Sequence, residues 1–237
     1  MATHDFASFT ETVLSLSSMQ GIDNPAITND ISFIIGLLER SRRLLLSMLF
    51  LYQNDYGDCS EALCRSILEH CATGLWLLED IEGRFEIALR AHLRELRILK
   101  DLGLQKAVNS YQAFSELIGS RWGDATREAQ LPPITQRLIG PMAQREFFYR
   151  ELCARVHSSI LSAALGLIPV IDASKSSHEI DFEFVEGYLP FATIMVWGLA
   201  IQLASRLQLP VIEQLTDIAP FFEHWCKIDG QGAWSLR

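Results

Sequence analysis

The sequence predicts an all-α fold: a single multi-helix bundle of about seven or eight helices over residues 1–237, with a possible sub-boundary near 131–134. Three observations predict it. Apolar residues recur at three- and four-residue spacing along most of the chain, the period of a helix with one buried face. No convincing run alternates apolar and polar residues as a half-buried strand would. Nineteen residues from Gly187 to Ser205 carry no charge, which marks a helix near 187–208 that is apolar nearly all round and largely buried.

The elements follow in order. Phe6, Phe9, Val13 and Leu16 suggest a short first helix, broken by Gly21 and Asn24-Pro25. Thr28-Asn29-Asp30 caps a long second helix to about Asn54. Asp58 or Ser60 opens a third, to about Asp80, with Cys64, Ile67, Leu68, Cys71, Leu75 and Leu78 on one face. Glu61, Arg65, Glu69 and Trp76 lie along its edge. The first three form an i, i+4, i+8 series in which both carboxylates can reach the guanidinium. A fourth helix, about Glu82 to Leu102, sets His92 in a core stripe with Phe85, Ala88, Leu89, Leu96 and Leu99. Arg90, Arg94 and Arg97 lie opposite, beside Glu86 and Asp101.

A weaker helical region at 105–130 ends at Leu131-Pro132-Pro133. A helix from about Met142 to Leu167 stops at Pro169, and 172–178 reads as an exposed loop. The uncharged helix closes at Leu209-Pro210, and a last helix, about Val211 to Lys227, precedes a glycine-containing tail.

Composition narrows function by exclusion. With 49% hydrophobic residues, the chain buries a core without covalent staples and is not predominantly disordered. The net charge of -9 argues against a sequence-independent hold on nucleic acid by the whole surface. The bases are unevenly spread, however: 16 of the 20 lie in residues 1–157, which leaves room for a local basic groove. Five scattered cysteines without a CxxC pair argue against a disulfide framework or a zinc site, and the N-terminus shows no signal-peptide pattern, so a cytoplasmic protein is expected. The uncharged stretch contains Pro190, Thr193 and Gln202 and has no clear basic flank, so no membrane span is expected. Phosphate-binding glycine loops and the H-E-x-x-H and E-x-x-H metal motifs are all missing, and neither cofactor nor metal is expected.

What remains is the segment from Tyr149 to Ser159. Arg150 and His157 are seven residues apart, two helical turns, and so point the same way at the border of an apolar face. Beyond His157 the residues turn small, as at a close helix–helix contact. The third helix and the 142–167 helix are expected to be neighbours, bringing Arg65 and Glu69 toward His157.

Two resemblances attach to these residues. Arg65, Glu69 and Trp76, followed by Tyr149, Cys153, His157 and Ser159 as Y-x3-C-x3-H-x-S, resemble uncharacterised bacterial all-helical proteins filed as domains of unknown function. That resemblance implies an internal polar cluster of Arg65, Glu69 and His157 and no particular activity. Arg150, six residues and His157 resemble the signature of HEPN ribonucleases, helical proteins of toxin–antitoxin and phage-defence systems. This implies a metal-independent endoribonuclease, a toxin or defence effector, acting on RNA as a homodimer and held by an antitoxin or other partner protein. His157 would be its acid/base and Arg150 its phosphate clamp, with Arg65, Glu69, His92, Tyr149 and Ser159 in support. Glu151, beside Arg150, departs from that pattern, where an amide is commoner. The alternative expectation is a non-catalytic helical binding or interaction module whose Arg–Glu–His cluster is structural.

Overall fold

A computed structural model describes residues 3–54, 56, 60–106, 109, 130–137, 182–222, 226–228 and 234–236. The described residues are overwhelmingly helical, as the periodicity predicts. Helix α1 spans Thr3–Leu16, α2 Asn29–Gln53, α3 Glu61–Glu79 and α4 Ile81–Asp101. Beyond the proline pair come α5, Ile134–Arg137, then α6, Phe182–Leu207, α7, Val211–Asp217, and α8, Ala219–Phe222.

The caps explain where these helices begin and end. The Thr28 hydroxyl accepts from the Ile31 amide at the start of α2, and Asp80 accepts from the Gly83 amide at the start of α4. Past the end of α6, Gln208 takes a left-handed backbone (φ 52°), and the Leu209 amide returns to the Ala204 carbonyl. The Asn24 side chain donates to the Leu207 carbonyl at 2.9 Å, so the loop between α1 and α2 closes the same helix end.

Helix α6 is the centre. Every residue from Tyr188 to Ala200 is buried, packed by α1, α2, α3 and α7. A helix apolar on all sides has to be enclosed on all sides, and here other helices enclose it. Tyr188–Leu207 is also long and apolar enough to cross a membrane, but most of it is buried inside the protein. Helices α3 and α6 approach closely at Gly74, where a Cβ would fall 2.8 Å from Leu199 Cδ1. Cys64 and Cys71 are fully buried small core residues on α3, as their shared face implies. The burial of α3 extends past that face to Ala72, Gly74, Trp76 and Leu77, because α2 and α6 both pack against it. Within the apolar interior, Thr10 of α1 and Thr193 of α6 join hydroxyls at 3.1 Å. Phe9 stacks on Phe221 with ring centres 3.8 Å apart, tying α1 to α8.

Two expectations need correction. A last helix continuous to Lys227 does not form: α7 ends at Asp217, and α8 occupies only Ala219–Phe222. Pro220 has no amide to donate to the Thr216 carbonyl four residues back, and its ring crowds that carbonyl, which breaks the helix near Ile218. Second, a small antiparallel pair of strands follows, β1, Cys226–Ile228, and β2, Trp234–Leu236, with Lys227 opposite Ser235. Asp229-Gly230, a hairpin dipeptide, stands between them in the sequence; three-residue strands are too short to show an alternation.

Most of the expected 105–130 region, the 142–167 helix and the 172–178 loop lie outside the described residues. Ile134, immediately after Pro132-Pro133, packs into the same core as α1–α4.

Candidate functional site: a polar edge on helix α3

Residues four apart on a helix stack along one edge, and on α3 that edge carries Arg65, Glu69 and Thr73. Arg65 Nε donates to Glu69 Oε1 at 3.1 Å, as the spacing predicts. Their side chains are 24% and 37% exposed. The pair is thus an edge ion pair of the half-exposed kind, worth about 0.3–0.5 kcal/mol. Thr73 extends the series by donating its hydroxyl to the Glu69 carbonyl at 2.6 Å.

Arg137 joins this edge from α5. Its Nη1 donates to the Thr73 hydroxyl, and its Nε donates to the Pro132 carbonyl at 3.0 Å. One turn beyond Thr73, Arg84 of α4 donates to the Trp76 carbonyl at 2.6 Å and to Glu79 at 2.8 Å, with its guanidinium 5.2 Å from the Trp76 ring centre. Among the described residues, three guanidinium groups therefore line the edge, and each is held by acceptors of the same chain. Arg137 and Arg84 are additions to the residues singled out from the sequence. The i+4 continuation to Thr73 was the available signal; a contact between positions 73 and 137 has no local periodicity behind it.

Two titratable groups beside the edge are shifted by their surroundings. Burial, reinforced by Glu61, pushes the Cys64 thiol far above its ordinary range, so it stays protonated. Burial also lowers the pKa of His70, and Arg40 lowers it further against the opposing pull of Glu69. Its imidazole is therefore neutral at neutral pH and adds no cation to the edge. Among the described residues, no three His, Cys, Asp or Glu side chains gather as metal ligands would.

Of the other residues singled out, His92 belongs to α4 by its backbone, and its side chain lies outside the described part. Tyr149, Arg150, His157 and Ser159 lie outside the described residues altogether. Arg90 pairs with Glu86 on α4, as their spacing implies. Trp76 and Trp197 are buried in the core.

Comparison with known protein families, with characterised proteins and with solved structures returns no match to this chain.

Proposed function

We propose that the chain is a non-catalytic helical interaction module in which the Arg65–Glu69 cluster is part of the scaffold. One observation carries this reading: Arg65, Arg84 and Arg137, the cations along the α3 edge among the described residues, each bind an acceptor of the chain itself. An edge that recognised phosphate would hold its guanidinium groups toward solvent with donors to offer.

A second reading, a HEPN-like metal-independent endoribonuclease acting as a toxin or defence effector, is favoured by the seven-residue spacing of Arg150 and His157. It also draws support from Arg137, which fixes the chain on α3 five residues before the helix expected at 142–167. In that reading His157 moves the proton of a ribose 2′-hydroxyl and Arg150 holds the charge that builds on the phosphate, while Arg65 and Glu69 support them.

One experiment decides between them. The wild type and His157→Ala are produced in a bacterial host, and growth and total RNA are compared. Equal growth and intact RNA in both is the result expected. RNA cleavage by the wild type that His157→Ala abolishes overturns the module reading and establishes the nuclease.

A further inference from the structure

The outward face of α2 changes character along its length. Arg40 and Arg43 are exposed in its middle, and one to two turns further on Leu46 and Phe50 are 58% and 64% exposed. These two flank a shallow apolar groove bordered by Glu11, Ser47 and Gln53. Glu11 of α1 stands at the end of this face, accepting from Gln53 Nε2 at 3.4 Å. Arg43 has no ion-pair partner among the described residues.

We propose that this face binds a second copy of the chain, with the two α2 helices antiparallel about a two-fold axis level with Met48. The reason is self-complementarity, the condition a two-fold contact imposes. In that register, positions equidistant from 48 meet, so Leu46 packs on Phe50 of the other copy and Phe50 on its Leu46. Arg43 then meets position 53 of the other copy. Gln53 stands beside Glu11, so the unpaired guanidinium arrives at a carboxylate, and the axis repeats the pair. The apolar pair lies at the middle and the opposite charges lie outside it, an apolar centre with a polar rim. Three residues of helix, about 4.5 Å, separate Arg43 from Leu46, so each charge pair stands about one turn outside the apolar contact. The inference stands on α1 and α2 alone and holds under either reading of the α3 edge.

The test is the mass of the purified full-length chain in solution, by light scattering and sedimentation over micromolar concentrations. The wild type is expected to be a dimer in equilibrium with monomer. Phe50→Asp, at an exposed site, is expected to keep its helical circular dichroism and to be monomeric. Arg43→Glu and Glu11→Arg are each expected to weaken the dimer at least about tenfold. The double variant R43E/E11R, which restores opposite charges, is expected to regain most of that loss. The proposal is overturned by a wild type that stays monomeric, including one that instead sediments with lipid vesicles. A Phe50→Asp chain that dimerises like the wild type, or a double variant no better than the singles, overturns it equally.

Discussion

Replacing Trp197 with alanine is expected to lower the free energy of unfolding by about 3–5 kcal/mol. Trp197 lies on α6 and is only 3% exposed. Its truncation removes one of the largest side chains from the most enclosed helix, and a cavity of that size closes only in part. The indole also donates from Nε1 to the Leu215 carbonyl at 2.8 Å, which joins α6 to α7. Alanine leaves that carbonyl without its donor. Trp197→Phe separates the two effects: it keeps most of the volume, loses the hydrogen bond, and is expected to cost about 1–3 kcal/mol. Urea denaturation followed by circular dichroism measures both. A loss under about 1 kcal/mol for the alanine variant, within the range of a surface substitution, would mean that Trp197 is not enclosed as described.

Replacing Arg42 with alanine is expected to cost about 2–3 kcal/mol by freeing the end of α1. The last carbonyls of a helix lack helical donors, and at the end of α1 a side chain of α2 supplies them. Arg42 donates from Nη2 and Nε to the Leu14 carbonyl, and from Nε to the Ser17 hydroxyl at 3.1 Å. Ser17 in turn donates to the Val13 carbonyl at 2.6 Å. Glu39 completes the arrangement: one oxygen pairs with Arg42 Nη1 at 2.6 Å, and the other accepts from the Met19 amide at 2.9 Å. With side chains only 15% and 18% exposed, this pair is far better enclosed than Arg65–Glu69. Losing the guanidinium strands a carboxylate and two chain-end acceptors together. Arg42→Lys is expected to recover only part of the loss, because one ammonium cannot reach all three partners. The same denaturation measurement applies. A variant as stable as the wild type would show that α1 ends without help from α2.

The two sites differ in how far the sequence announced them. Glu39–Arg42 and Arg65–Glu69 are both local helical pairs, and the second is legible from its i, i+4 spacing alone. Arg42 reaching Leu14, and Arg137 reaching Thr73, are contacts between distant parts of the chain, and no local pattern encodes them. Much of the fold was legible for the complementary reason. Thr28 is a short polar side chain immediately before a helix, and Gly187–Ser205 has no charge to place in water. The misreadings were local as well. Pro220 divides the last helix into α7 and α8, and strands as short as β1 and β2 are hidden from a search for alternation. Burial on α3 exceeded its apolar stripe because two helices pack against it, a tertiary circumstance that a one-face pattern does not express.

The position of α6 at the centre of the helical core underlies the rest, and amide hydrogen exchange on the intact chain in detergent-free buffer tests it directly. The amides from Phe191 to Ala204 are expected to exchange last, at rates set by global unfolding, while those at the ends of α1 and α4 exchange early. Exchange across α6 as fast as in α1, or a chain that stays dispersed only in detergent, would contradict that position.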